Sequence, residues 1–472
     1  MPSLTLDAIR KASGARLVQG PERLELSGIS TDTRSIQEGD LFLALSGPSF
    51  DGQAFAQQAV QAGARAVLLR EGGTLPELPD QVALLTCANP RRALGEIGAA
   101  YRLRQDVHVL GITGSCGKTS TKQILLQLLE HSPLNVSASP ASFNNDIGVP
   151  HTLLSCAPET DVLILEMGTN GKGEIANLCR LAHPTSAIVT NVGPSHLEGL
   201  DDEDGVALEK SALPASLNAS GFCVLNAQCP RTARMRRLTR ARVLTFGLGD
   251  EGDLVARDLV FHEGCSVFTL DGDAVRQPRQ VRVPLLGHHQ VQNVLAALCA
   301  GIGLGLELDE LLAGLPQVTA SPGRGVQHQV AGMRLIDETY NSNPSSMRAA
   351  LRVLAGMDDC QRRVLVMGEM NELGEGSEGL HQEIGVDLAD AGLSQVILVG
   401  PKVQATHQAA LEAGMPKKAV LYFPDLESVR AALPAQLCAG DTVLLKGSRG
   451  ARLDQLVTDL LSPQGVAQLA KA

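Results

Sequence analysis

Tryptophan is absent from this chain of 472 residues and tyrosine occurs only three times, while Ala, Leu, Val and Gly are abundant. Hydrophobic residues make up 44% and charged residues 19%, which is the usage of a soluble α/β enzyme and excludes a disordered chain. Paired cysteine motifs are missing as well. The ten cysteines are scattered singly, without the CxxC or Cys/His spacing of a zinc site, and Cys299 sits in the apolar segment VLAALCAGIG, so reduced thiols are expected. No apolar run approaches the roughly 20 residues that cross a bilayer. The start, MPSLTLDAIRKAS, has neither the charged head nor the continuous apolar stretch of a secretory signal. A cytoplasmic location without membrane insertion is the expectation. Concentrated positive charge is equally scarce: the formal net charge is -11, and the one basic run, Arg231 to Arg242, reads as a solvated helix face or loop. That balance argues against a protein that grips nucleic-acid phosphates.

At roughly 150 residues per domain, the length predicts about three domains, each able to bury its own core. Short Leu-rich or β-branched runs alternate with Ala-rich amphipathic stretches, the βαβ pattern of parallel or mixed sheets. ARAVLL (Ala64 to Leu69) and VALLTC (Val82 to Cys87) precede a helical stretch from about Pro90 to Tyr101, and the polar turn after it places a first boundary near Arg104. VHVLGIT, DVLILEMG and SAIVTNVG read as adjacent strands of one central sheet. LPQVTASPGRG stops a helix and marks a second boundary near Val318. Beyond it MRLIDETY, RRVLVMGE, SQVILVG, AVLYF and DTVLLKG alternate with helices. The expected architecture is α/β in three domains: a small N-terminal α/β domain over 1–104, a central P-loop ATPase-like, mostly parallel sheet over 105–318, and a C-terminal Rossmann-like domain over 319–472. A monomer is expected.

The strongest chemical signal is TGSCGKTS, Thr113 to Ser120, between an apolar strand (Val107 to Ile112) and a helix with Ile124, Leu125, Leu128 and Leu129 on one face. Gly114 and Gly117 let backbone N–H groups around Ser115 and Cys116 turn toward phosphate oxygens, and the helix N-terminus adds positive potential. Lys118 supplies a charge and Thr119 a hydroxyl for magnesium, with Ser120 beside it. Such a constellation binds a nucleoside triphosphate, although Ile112 stands where the general GxxxxGK[ST] pattern has its first glycine. Cys116 reads as a small bystander in the loop.

Glu166 closes the strand DVLILE, which places a carboxylate at the carboxyl edge of the sheet, where open α/β folds hold ligands. His196, in TNVGPSHLEGL, follows another strand, and Lys210 lies in the polar helix GVALEKSAL. Spacing alone brings neither to Glu166. A charged Lys210 facing magnesium meets a physical objection: an ammonium about 4 Å from a divalent ion is repelled by roughly 8 kcal/mol at an effective dielectric constant of about 20. Deprotonation removes the charge, and carbamylation by carbon dioxide reverses it.

TGSCGKT, LEMGTNGKGEI, NVGPSHLEGL and ALEKSAL, in this order and with these gaps, resemble the central ATPase domain of the Mur ligases. STDTR (Ser30 to Arg34) and DLFLALSGPSFDG (Asp40 to Gly52) resemble the domain that holds the substrate's uridine nucleotide in the member of the family that adds D-alanyl-D-alanine. LIDETYNSNPSSMRAAL, MGEMNELGEGSEGLH and LLKGSRGARLDQLV resemble the last domain of that same member, so the likeness spans the chain.

The resemblance implies that Lys118 and the backbone around Gly117 bind the β- and γ-phosphates of ATP, and that Thr119 and Glu166 hold one magnesium ion. His196 and a carbamylated Lys210 would hold a second, with Glu166. Asn293, in GHHQVQNVLAA, matches an adenine-contacting position, with Gln290 where the family usually has Asn. Arg324, in SPGRG, matches an arginine that reaches the terminal phosphate. Asp337 and Glu338 are adjacent candidates for the acidic residue near the ribose. Ser30, Thr31, Asp32, Arg34, Phe50 and Asp51 fall in the uridine-site motifs. Asn144 and Asn145, in SFNNDIGVP, match a loop that positions the acceptor, and Tyr340, Asn341 and Asn343 would line the cleft near the incoming dipeptide. The implied reaction activates the terminal carboxylate of UDP-N-acetylmuramoyl-tripeptide as an acyl phosphate for attack by the amine of D-alanyl-D-alanine. Two other readings remain at this stage, a sibling ligase adding one amino acid and a nucleotide-dependent switch.

Overall fold

The structure, a computed structural model, describes residues 4–47, 50–357 and 360–470. Pro48 and Ser49 of the DLFLALSGPSFDG motif lie outside the described residues. Three large sheets succeed one another along the chain, with two two-stranded ribbons, Leu4–Thr5 with Glu25–Leu26 and Ser46–Gly47 with Phe50–Asp51, beside the first. The first has five strands in the order Arg16–Gln19, Ala83–Cys87, Ala66–Arg70, Leu41–Leu43, Ile29–Ser30, parallel except for its first pair.

The second sheet has nine strands. Val136–Ala138, Val162–Glu166, His108–Thr113, Ser186–Val189, Phe222–Asn226 and Arg242–Leu248 lie side by side in parallel. An antiparallel meander of Leu254–His262, Cys265–Asp271 and Arg279–Val283 ends the sheet. Both faces of the parallel part are buried, which is why its strands read as near-continuous apolar runs. Leu110, Ile112, Ile164 and Ile188 face one core with the helices Lys118–Leu129 and His288–Gly303. Val109, Leu163, Leu165 and Val189 face the other with the helices Glu174–Ala182 and Glu203–Ala215. His108–Thr113 sits between Val162–Glu166 and Ser186–Val189, so the chain leaves it in opposite directions, and a crevice opens beyond its carboxyl end.

The third sheet orders six strands as Val326–Val330, Met333–Glu338, Asp441–Lys446, Arg362–Gly368, Gln395–Val399, Val420–Phe423, parallel after an antiparallel first pair. It too is covered on both faces. The three sheets match the expected three-domain α/β architecture. All ten cysteines are free thiols. Among the described residues no helix is long and apolar enough to cross a membrane.

The first and second units are clasped by Arg102, at the end of the helix Pro90–Arg102. Its guanidinium is buried and donates to the carbonyls of Ala182, Gln105 and Val107 at 3.1, 3.0 and 3.1 Å. Arg102→Met removes all these donors at once. The expected loss is about 2 to 4 kcal/mol of stability, read as a lower urea midpoint. An unchanged midpoint would mean that the clasp contributes nothing.

Candidate active site

A cavity of about 600 Å³ opens between the carboxyl edges of the second and third sheets, within the size range of small-molecule sites. The phosphate loop forms its floor. Gly114 and Gly117 take φ values of +149° and +86°, and a Cβ at either would overlap the Thr190 hydroxyl or the Asn293 side chain. Only glycine fits both positions. The loop is held by Ser115 N donating to Asn191 O at 3.1 Å and Cys116 N to Asn191 Oδ1 at 3.0 Å. Lys118 Nζ bends back over it and donates to Gly114 O at 2.8 Å. The helix Lys118–Leu129 begins here, so its first N–H groups point into the cavity without helical partners.

Glu166 stands beside Ile112 in the sheet register and is buried to 1% exposure. Three side chains converge on its carboxylate. Thr119 Oγ1 donates at 2.8 Å and Asn144 Nδ2 at 3.0 Å, and Lys122 Nζ lies 3.8 Å away. Lys122 also donates to the carbonyls of Ser139 and Ala141 at 2.6 and 2.5 Å, which fixes the loop that carries Asn144. Asn145 is spent differently, accepting from Ile147 N and Gly148 N at 3.1 and 2.9 Å where the helix Gly148–Leu154 begins.

The helix expected to be polar around Lys210 is not a solvated one. Glu209 and Lys210 are both buried. Glu209 accepts from Gly173 N and Ile175 N at 2.7 Å each and so anchors the helix to the loop after Glu166. Lys210 has no hydrogen bond or ion pair among the described residues. Burial, reinforced by the nearby Lys118 charge, pulls its pKa down to about 7. His196 adopts φ +52° and lines the cavity with Nδ1 3.5 Å from Glu372 Oε2. Burial first, then Lys118, lowers its pKa, so near neutral pH the contact with Glu372 is not an ion pair.

The opposite wall comes from the third sheet. Arg324 lies 4.0 Å from the Tyr340 ring centre, and the Tyr340 hydroxyl is 2.7 Å from Ser142 Oγ. Asn343 Nδ2 donates to Cys116 Sγ at 3.3 Å, so the second and third units touch at the loop itself. Of the two adjacent acids, Glu338 faces the cavity. Asp337 does not: its carboxylate accepts from Thr339 N and Oγ1 at 3.0 and 2.6 Å, and strand alternation turns it away. The expectation of Asp337 at the nucleotide therefore gives way to Glu338. Burial would raise the Glu338 carboxyl, but Lys446 at 3.0 Å, His289 at 3.7 Å and the Arg324 charge together hold it below its ordinary value. Asn341 contributes its carbonyl to Lys446 Nζ at 3.2 Å. Asn293 is buried in a chain of amides: it accepts from Thr121 Oγ1 at 3.2 Å and donates to Gln290 at 3.2 Å, and Gln290 donates to Arg324 O at 2.9 Å.

The N-terminal candidates lie outside this cavity. Ser30 Oγ donates to Asp32 O at 2.9 Å and Arg34 pairs with Asp32 at 2.6 Å, giving one ordered turn. Phe50 is exposed, and Asp51 caps the turn after it by accepting from Gln53 N at 3.2 Å. Thr31 Oγ1 is 3.1 Å from His151 Nε2, so the segment from Ser142 to His151 touches both the Glu166 cavity and the STDTR turn. Residues not anticipated from sequence are Lys122, Ser142, His289, Glu372 and Lys446. Only Lys122 had a signal: four residues after Lys118, it shares that lysine's side of the helix.

The residues fit a hard cation in one respect. The Thr119 hydroxyl and Glu166 carboxylate are oxygen donors side by side, which suits magnesium completed by phosphate and water. Among the described residues no cluster of three His, Cys, Asp or Glu side chains could cage a metal without such outside ligands.

Three family profiles match in order along the chain: Mur ligase family, catalytic domain, over residues 25–102; Mur ligase middle domain, over 112–301; and Mur ligase, glutamate ligase domain, over 324–449. The chain is 34% identical to the UDP-N-acetylmuramoyl-tripeptide D-alanyl-D-alanine ligase of Escherichia coli (strain K12), over 98% of this chain and 99% of that one. Its fold superimposes on a crystal structure of MurF from Acinetobacter baumannii with a TM-score of 0.87 at 31% identity, covering 98% and 99% of the two chains. MurF ligase from Thermotoga maritima in complex with ADP matches with a TM-score of 0.82 at 26% identity, over 94% and 98%.

The buried Lys210 makes stability depend on pH. An unfolded lysine keeps its proton up to about pH 10.4, whereas the folded one releases it near 7. Between those values the unfolded state binds more protons, so stability rises with pH, by at most about 1.4 kcal/mol per unit for this one group. At more acid pH both states hold the proton and the contribution is flat. Urea unfolding in bicarbonate-free buffer from about pH 7 to 9 will show the rise in the natural protein and lose it in Lys210→Met. Equal slopes would mean that Lys210 titrates as an ordinary lysine.

Proposed function

This chain belongs to the Mur ligase family, and from that premise we propose that it joins D-alanyl-D-alanine to UDP-N-acetylmuramoyl-tripeptide, converting ATP to ADP and phosphate, in peptidoglycan synthesis. The observation that carries this reading is one cavity in which a phosphate loop, a buried carboxylate beside a loop hydroxyl, and an arginine from the third sheet converge, in a chain similar over nearly its whole length to ligases named for that reaction. We place the domain junctions near Arg104 and Val318 and the protein in the cytoplasm.

The chemistry explains the need for each group. A carboxylate does not accept an amine, because oxide is a poor leaving group; phosphorylation supplies a better one, which water must not reach first. The glycine-framed backbone from Gly114 to Gly117 and the helix N-terminus cradle phosphate oxygens, and Lys118 leaves Gly114 O to meet them. Arg324, which has no carboxylate partner, meets the terminal phosphate from the opposite wall. Thr119 and Glu166 would hold magnesium, which when bound would supply positive charge to the transferring phosphoryl. Lys122 keeps the Glu166 carboxylate aimed, and Asn144 beside it positions the acceptor.

His196, which lines the cavity, and Lys210, carbamylated, would hold a second metal ion. A neutral amine attacks carbon dioxide, forming a carbamate N–C bond and releasing a proton, and burial has already brought its pKa to about 7. The carbamate is anionic, which removes the repulsion that a lysine ammonium would suffer beside a divalent ion. His196 is neutral near pH 7 for the same reason of burial and so presents a ring nitrogen lone pair. The acceptor lies along the segment from His151 to Ser142, its uridine end at the turn Ser30 to Arg34 and its terminal carboxylate near Glu166.

Phosphate release from ATP and magnesium will require both the UDP-muramoyl tripeptide and D-alanyl-D-alanine, and mass analysis will show the pentapeptide product. Release with a single amino acid in place of the dipeptide would move the chain to a sibling activity. Lys118→Ala, Glu166→Ala and Arg324→Ala are each expected to lower kcat by roughly a hundredfold or more; near-natural turnover in any one removes that residue from the mechanism. Incubation with ¹³C-bicarbonate should give one protein carbamate resonance that Lys210→Met lacks, and a resonance that persists in the variant would assign the modification elsewhere.

A further inference from the structure

Three loops meet at the carboxyl edge of the third sheet, and Ser448 ties them together. Its hydroxyl donates to Ser342 O at 3.1 Å and accepts from Asn371 N at 2.9 Å, while its own N–H donates to Glu369 O at 2.8 Å. The next residue, Arg449, is therefore carried on a fixed backbone. Its side chain is exposed, with the guanidinium 5.5 Å from the centre of the Tyr340 ring. Arg324 lies over the same ring at 4.0 Å. Of the nearby cations, Lys446 pairs with Glu338 at 3.0 Å and Lys402 donates to Asn371 Oδ1 at 2.8 Å, whereas Arg352, which lines the cavity, has no ion pair among the described residues. Arg324 and Arg449 have no carboxylate partner among the described residues.

Two guanidiniums gathered on one aromatic ring repel each other unless anions arrive from outside. The nucleotide's terminal phosphate accounts for Arg324. A second anion enters with the other substrate, because an incoming dipeptide carries a carboxylate at the end opposite its reacting amine. The dimensions agree. A dipeptide spans at most about 7 Å, and Tyr340 reaches from Arg449 at its ring to Ser142 at its hydroxyl, 2.7 Å away and two residues from Asn144 on Glu166. Beside this path Ser342 lines the cavity, and its buried hydroxyl has no hydrogen-bond partner.

We propose that Arg449, with the Ser342 hydroxyl, is the subsite for the carboxylate of the incoming dipeptide, which makes it a determinant of what the ligase accepts. The proposal rests on the ligase reading above. A planar guanidinium offers a carboxylate two parallel hydrogen bonds, so Arg449 selects for a free C-terminal acid. Its amine is then left pointing toward the activated carboxyl beside Glu166.

The test compares D-alanyl-D-alanine with D-alanyl-D-alaninamide, which lacks the charge, in the natural enzyme, Arg449→Ala and Arg449→Lys. The natural enzyme should show a KM for the acid roughly ten- to a hundredfold below that for the amide. Arg449→Ala should raise the KM for the acid to about that for the amide, leaving the amide's KM, the KM for ATP and kcat near their natural values. Arg449→Lys should recover part of the preference. A rise of both KM values by the same factor, or of neither, would overturn the subsite. A natural enzyme that makes product from neither dipeptide would instead sink the ligase reading, and the subsite with it.

Discussion

The site depends on one buried carboxylate being kept in place. Glu166 ends a strand with apolar cores on both faces, and a carboxylate taken out of water there is tolerated only if its oxygens are satisfied. Thr119, Asn144 and Lys122 do this, and each belongs to something else that must be positioned: the phosphate loop, the loop after Ser139 and the helix that follows the phosphate loop. The requirement to satisfy one anion thus aligns three segments that sequence separates. The same requirement explains why Asn144 faces the cavity while Asn145 does not, since the second amide is consumed in starting a helix.

The cleft between the second and third sheets is held differently. Its contacts include a hydroxyl pair between Tyr340 and Ser142, an amide-to-thiol contact between Asn343 and Cys116, the Gln290 bond to Arg324 O, Gln327 donating to Gly264 O, His289 beside Glu338, and a neutral His196 beside Glu372, with Leu286 and Phe261 packed against the core of the third unit. Neutral hydrogen bonds contribute about 0.5 to 1.5 kcal/mol each, while unpaired Arg324 faces across the gap toward the phosphate loop.

The fold was legible because both central sheets bury both faces, which writes strands as apolar runs and leaves Gly, Pro and polar residues to mark the ends. The phosphate loop and Glu166 were legible for local reasons, a glycine pattern and a strand terminus, while Arg324 came only through the family resemblance. What sequence left open was set by tertiary pairing. Asp337 and Glu338 differ by one position, and strand alternation alone sends one to the cavity and the other to a turn. Lys446 and His289, which decide the charge state of Glu338, lie far from it in the chain. The helix around Lys210 looked polar because Glu209 and Lys210 stand together in it, yet both are buried: one caps a neighbouring helix and the other has no hydrogen bond or ion pair among the described residues.

Two lysines near the same site show that burial alone does not decide a side chain's chemistry. Lys122 is 3% exposed and Lys210 is 1% exposed, so desolvation pushes both toward the neutral form. Lys122 is surrounded by compensation: two carbonyls accept its protons and Glu166 opposes its charge. It has what a buried cation needs and acts as a fixed counter-charge. Lys210 has no such partner, and the nearest strong influence, Lys118, makes its charge less favourable still. With its pKa brought down to about 7 the amine is partly neutral near neutral pH, and the neutral form is the one that reacts with an electrophile as weak as carbon dioxide. Lys122 is kept 3.8 Å from the Glu166 carboxylate as its counter-charge, whereas at Lys210 burial and the Lys118 charge outweigh the weaker pull of Cys116 and Glu209 toward the charged form.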